Sequence, residues 1–219
     1  MLAENLKTKK SRGFTLTEIM FVSAILGLVS IVLVGFIRQT GESMNWATNK
    51  TLVVRDVRNF TTRITNEAFA ANIGVVYSGF ALNERNEVGK RLESGQSGDC
   101  LVLVHRAPLP QLGDPMHYTK LVIYFRQPDS DGVSPVYRAE VEFTTPQPTA
   151  SITLEALLAS NFPTIPTNAP VVLELSRGLA SGNLFHNLGG SFLINGEILH
   201  GKKAREVTNT YNLTISTRG

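Results

Sequence analysis

Between Phe14 and Ile37 the chain runs for 24 residues with a single charge, Glu18. As a helix rising about 1.5 Å per residue, this segment reaches about 36 Å, enough to cross a hydrocarbon core of roughly 30 Å once. No later apolar run approaches that length. A polar stretch follows, Arg38-Gln39-Thr40-Gly41-Glu42-Ser43, and then apolar residues return with a different rhythm. Trp46, Val53, Val57, Phe60, Ile64 and Ala68 are separated by seven-, four- and three-residue steps. That spacing puts them on one face of a helix, with Arg55, Asn59, Thr62 and Asn66 opposite. It predicts an amphipathic continuation over 38–73 that packs one stripe on a head. The helix should end near Ile73-Gly74, where glycine suits a C-cap.

From residue 74 on, the pattern is that of strands. Leu101–Arg106, Lys120–Arg126, Val136–Phe143, Val171–Ser176 and Thr208–Ser216 are rich in β-branched and aromatic residues, several with alternation. Asn195-Gly196, between Phe192-Leu193-Ile194 and Glu197-Ile198-Leu199, reads as a two-residue hairpin turn. Ser151–Ser160 is expected to be a short helix. Pro146, Pro148, Pro163, Pro166 and Pro170 mark a loop-rich connection. The predicted class is α+β: a long N-terminal helix packed on an antiparallel sheet, with the head spanning 74–219.

Charge sharpens the picture at the N-terminus. The whole chain holds 21 basic and 18 acidic side chains, net +3. Residues 1–13 contain Lys7, Lys9, Lys10 and Arg12 against Glu4, so the 206 residues after Gly13 carry 17 of each sign and no net charge. The basic pI of about 9.1 therefore belongs to the first 13 residues. It says nothing about nucleic acid, a partner that the zero net charge of the rest makes unexpected, and the charges of the first 13 residues argue for a cytoplasmic N-terminus. A carboxylate in mid-bilayer costs on the order of 3 kcal/mol, so Glu18 calls for a compensating partner. A secretory signal peptide fits poorly, because the apolar run is long and no small-x-small site precedes a polar start. An uncleaved signal anchor is the alternative, and the Gly13-Phe14 junction with Glu18 counts against it.

The remaining chemistry is sparse. Cys100 is the only cysteine, so no intrachain disulfide forms. Within Asp99-Cys100-Leu101-Val102-Leu103-Val104 it reads as a packed thiol, with an intermolecular bridge as the alternative. His105, His117, His186 and His200 lack metal-ligand spacing. No nucleophile elbow, phosphate loop or His-Glu helix motif occurs, so neither an enzyme nor a cofactor is expected. Pro128-Asp129-Ser130-Asp131-Gly132 offers Asp129 and Asp131 as a sparse Ca²⁺ site, but no glutamate follows at loop spacing and a hairpin loop is the favoured reading. Ser23, Gly27 and Ser30, spaced i, i+4, i+7, form a small-residue face suited to close helix contact.

The order of basic leader, Gly13, Phe14, Glu18 and apolar run resembles the N-terminal signal of type IV pilins and type II secretion pseudopilins. The resemblance implies a leader of residues 1–13, cut by a prepilin peptidase between Gly13 and Phe14. It implies N-methylation of the new Phe14 amine, and a span of 14–37 that anchors in the inner membrane and later enters a filament core. Glu18 would contact the N-terminal amine of a neighbouring subunit. Partners would be the peptidase, other pilins or pseudopilins, and an inner-membrane assembly platform, with the head periplasmic. Major pilins often carry a C-terminal disulfide and a proline late in the span; this chain has neither, and Gly35 stands in the latter stretch.

Leu101–Arg106, Lys120–Arg126 and Val136-Tyr137-Arg138 further resemble the J-type minor pseudopilin or the W-type minor pilin. Extreme-tip pseudopilins typically lack the glutamate, so the resemblance puts this chain below a tip or in a shaft. A tip adhesin, a substrate or DNA receptor, or a membrane-anchored sensor or enzyme are the competing functions.

Overall fold

The computed structural model describes residues 13–108, 116–200 and 207–218. The chain divides into two compact units, Met1–Ala47 and Thr48–Gly219, and one 55-residue helix, α1 (Leu16–Ala70), contributes to both. Gly27, Gly35 and Gly41 lie within it without interrupting it.

Among the described residues, the second unit is built on a nine-stranded antiparallel sheet. Its strands are β1 (Ile73–Tyr77), β2 (Ser97–Gly98), β3 (Cys100–Pro108), β4 (Met116–Arg126), β5 (Val133–Pro148), β6 (Val171–Gly178), β7 (Phe185–Asn187), β8 (Ser191–His200) and β9 (Val207–Ser216). The order is β1-β3-β4-β5-β6-β8-β7-β2, with β9 along β8. β9 pairs with the whole of β8, so β6 and β7 share the opposite edge of β8, at Gly196–Ile198 and Phe192–Ile194. The five strands expected from the sequence are all present, and Leu154–Asn161 is the expected short helix, α2. The fold is α+β.

The sheet is covered on both faces, which explains why β3 and β4 are continuous apolar runs. Leu101, Leu103, Val122 and Tyr124 turn towards Val53, Phe60, Ile64 and Ala68 of α1. Cys100, Val102, Val104, Leu121, Ile123 and Phe125 turn the other way, towards Leu154, Leu157 and Leu158 of α2. Phe60 sits edge-on to both Tyr124 and Tyr211, with ring centroids 6.0 Å apart in each case. Between β3 and β4, Arg126 and Asp99 form a buried pair at 2.9 Å. The guanidinium also donates to the carbonyls of Ser176 and Gly182, and Asp99 accepts the Leu184 N–H. That satisfies both charges inside the core and ties β3 and β4 to the β6–β7 connection.

Three expectations are corrected. Trp46 is not part of the buried stripe: it is 54 % exposed. It belongs to the first unit, whereas Val53, Phe60, Ile64 and Ala68 belong to the second. α1 ends at Ala70 rather than near Gly74: Asn72 donates to the Val104 carbonyl, and Ile73–Tyr77 pairs with β3. Gly74 serves packing instead, since a Cβ there would lie 2.3 Å from the Phe192 ring. Asn195-Gly196 is not a turn. Both residues sit inside β8, opposite Asn212 and Tyr211 of β9. A Cβ on Gly196 would come within 2.6 Å of Leu184 and 3.1 Å of Tyr211, so the glycine reflects close approach in a central strand.

Candidate functional site

The segment singled out by the sequence forms the start of α1. Gly13, Phe14 and Thr15 precede the first helical residue, Leu16, in non-helical backbone, and all three are exposed. Lys7, Lys9, Lys10 and Arg12 lie outside the described residues. The bond between Gly13 and Phe14 therefore lies in open chain ahead of the helix. Nothing approaches within 4 Å of a Cβ built on Gly13, so the packing of this chain does not itself call for glycine there.

Glu18 is tied to Thr15 in a reciprocal cap. Its Oε2 accepts the Thr15 backbone N–H at 2.8 Å and the Thr15 hydroxyl at 2.9 Å. Thr15 Oγ1 in turn accepts the Glu18 N–H at 3.3 Å. This satisfies helix N-terminal donors that have no intrahelical partner, and it places the negative charge at the positive end of the helix. Glu18 thus has a partner within its own helix, which its position in the apolar run alone did not show. The signal was there as Thr15-x-x-Glu18, the S/T-x-x-E spacing. Only Oε2 is engaged in these bonds, so Oε1 can accept a further donor.

Further along, Ser23 and Ser30 turn their hydroxyls back onto the carbonyls of Met20 and Leu26, at 2.9 and 2.8 Å. With Gly27 between them, the face is small and already satisfied, as close contact in lipid requires. All residues of the apolar segment are exposed, and α1 is the one helix among the described residues long and apolar enough to cross a membrane. Arg38, where the apolar run ends, pairs with Glu42 one turn on.

Asp129 and Asp131 belong to the second unit and form the β4–β5 turn. Asp129 Oδ1 accepts the N–H groups of Asp131 and Val133 at 2.9 and 3.0 Å, and Gly132 takes a φ of 72°. The Asp129 carboxylate thus builds the hairpin. No group of three or more His, Cys, Asp or Glu side chains that could hold a metal occurs among the described residues. Cys100 is fully buried in β3, and burial pushes its thiol pKa up to about 12.

The N-terminal helix is thus an apolar run that opens on a capped glutamate, its single charge up to Ile37, and the fold of the chain is α+β. Residues 8–34 match the family model described as the prokaryotic N-terminal methylation motif. That segment is the type IV pilin and pseudopilin signal, which implies processing by a prepilin peptidase. Comparison with curated proteins and with solved structures found no match.

Proposed function

We propose that this protein is a structural subunit, a minor pilin or pseudopilin, that is cleaved after Gly13, methylated on Phe14 and assembled into a type IV pilus or a type II secretion pseudopilus. The observation that carries the reading is the methylation motif at 8–34, joined to a helix whose only buried-membrane charge is a capped glutamate. In the membrane, the cap and helix dipole offset part of the cost of Glu18. In a filament, the free Oε1 would accept the N-terminal amine of a neighbour, an opposite charge in a low dielectric. Orientation follows the basic leader, with the head in the periplasm. Its role is assembly rather than catalysis.

Two variants separate the cap from the contact. Thr15→Val removes the hydroxyl half of the box and keeps the carboxylate. Glu18→Val removes the carboxylate, and with it both its bonds to Thr15 and the intersubunit contact. Each should still insert in the inner membrane, since neither adds a polar group to the span. In a cell with the assembly machinery, fractionation should show Thr15→Val in sheared filaments or minor-subunit complexes and Glu18→Val absent from them. Normal incorporation of Glu18→Val would contradict the proposal. Equal loss for both would reduce Glu18 to a helix cap.

A further inference from the structure

β5 is longer than its partner on one edge. It runs for 16 residues, Val133–Pro148, and β4 pairs with it from Val136 to Glu142 and again at Gln147 and Pro148. On the other edge β6 covers only Val133 to Tyr137. Tyr137 faces Val171, so Pro170 comes next, opposite Arg138, and its carbonyl accepts the Arg138 N–H at 3.0 Å. A proline has no N–H to return, so the Arg138 carbonyl stays open. That bond also fixes which groups face this edge. In a strand, the N–H and C=O of one residue point to one edge and those of the next to the other. The register with β4 is unbroken from Val136 to Glu142, so Glu140 and Glu142 point the same way as Arg138. Among the described residues, neither strand nor loop bonds to their backbone groups on that side.

The open edge borders a groove of about 270 Å³, with Ala139 and Glu140 on one wall and Phe162, Pro166, Asn168 and Ala169 on the other. The two faces of the edge differ in chemistry. Arg138 turns to α1, where it pairs with Glu67, and Glu140 and Glu142 alternate onto the same face. Ala139, Val141 and Phe143 turn the other way, into the apolar layer that holds α2. The cations of the first face are taken up: Arg138 by Glu67 and Glu140, Lys120 by Glu140, at 2.6 to 2.9 Å. Glu142 is left exposed and, among the described residues, without a cation. The edge is therefore acidic on one face and apolar on the other. Two copies of it set side by side would oppose acid to acid, which destabilises a strand pair.

We propose that the edge of β5 at Arg138–Glu142 takes up an extended segment of another protein, one in which basic and apolar side chains alternate. The segment lies antiparallel to β5, as every other pair in the sheet does, in the place that β6 vacates at Pro170. Its residues opposite Glu140 and Glu142 exchange backbone bonds with them and set basic side chains on the acidic face. Its intervening residues lay apolar side chains beside Val141 and into the groove against Phe162. Past Glu142 the register with β4 slips, and Pro146 and Pro148 follow, so the site is short and closed to open-ended sheet growth.

The test uses the full-length protein in zwitterionic micelles, with fluorescence anisotropy of labelled synthetic peptides. A short peptide of alternating lysine and valine should bind at least about tenfold more tightly than its glutamate–valine counterpart. Methylating its lysine amides, which keeps every charge, should weaken it about tenfold by removing the backbone bonds. Glu142→Lys, at an exposed site, should weaken the lysine peptide about tenfold and admit the glutamate peptide. At saturation, amide exchange at Glu140 and Glu142 should slow by about tenfold. Absence of binding overturns the proposal, as does equal binding of the methylated peptide, which would reduce the site to a charged surface. Unchanged exchange at Glu140 and Glu142 also overturns it. So does slowed exchange in a concentration-dependent dimer without peptide, which would make the occupant a second copy. No cleavage at Gly13 is needed, so a failed edge contact and a failed processing reading give separate results.

Discussion

Arg85 shows how much a single side chain holds in the head. It is fully buried and donates to the carbonyls of Phe80, Leu158 and Phe162, with its guanidinium 4.4 Å from the Phe80 ring centroid. It thereby fastens the loop after β1 to the end of α2. Arg91 does the same nearby through Glu155, at 2.6 and 3.0 Å, and Glu155 also accepts from the Tyr77 hydroxyl. Arg85→Leu strands three buried acceptors, and each costs on the order of 1–3 kcal/mol. Denaturant melts should show a loss of about 3 kcal/mol or more, and Arg85→Lys, which lacks the fork, should recover little of it. Cys100 supplies a second test at this scale. With its thiol buried and its pKa raised to about 12, it should resist maleimide at neutral pH in the folded protein and react fully in denaturant. Labelling of the native protein at the rate of a free thiol would mean that β3 is not buried on both faces.

At the scale of elements, α1 draws its grip on the head from one stripe. Phe60→Ala removes a ring packed against Tyr124 and Tyr211 and should cost about 3–5 kcal/mol. Arg55, on the exposed side with only a neighbouring Asp56 at 3.2 Å, should lose less than about 0.5 kcal/mol on mutation to alanine. Equal thermal melts for the two variants would show the helix face to be misassigned. This stripe was legible because helical period survives wherever one face is buried, and the buried strands were legible as apolar runs. Asn195-Gly196 was not, because the same dipeptide serves a turn or a tight central strand, and only the neighbours Leu184 and Tyr211 decide. β1 was hidden because Ile73-Gly74 follows the helix too closely for its strand pattern to stand out. The Thr15 cap is legible from its three-residue spacing to Glu18, a local signal that needs no tertiary neighbour.

At the scale of the whole molecule, the division after Ala47 carries its own expectation. A chain beginning at Thr48 keeps both core layers, so it should remain soluble and melt cooperatively without the apolar segment. The account as a whole rests on the N-terminal motif being read by its enzyme, and intact-mass analysis after co-expression with an active prepilin peptidase tests that directly. The predicted mass is that of residues 14–219 plus one methyl group, with fragmentation placing the methyl on the Phe14 amine. A bulky residue in place of Gly13 should leave the chain uncut although it disturbs nothing in the protein itself. A stable, unmodified 219-residue chain beside a peptidase that cleaves its other substrates would contradict the account.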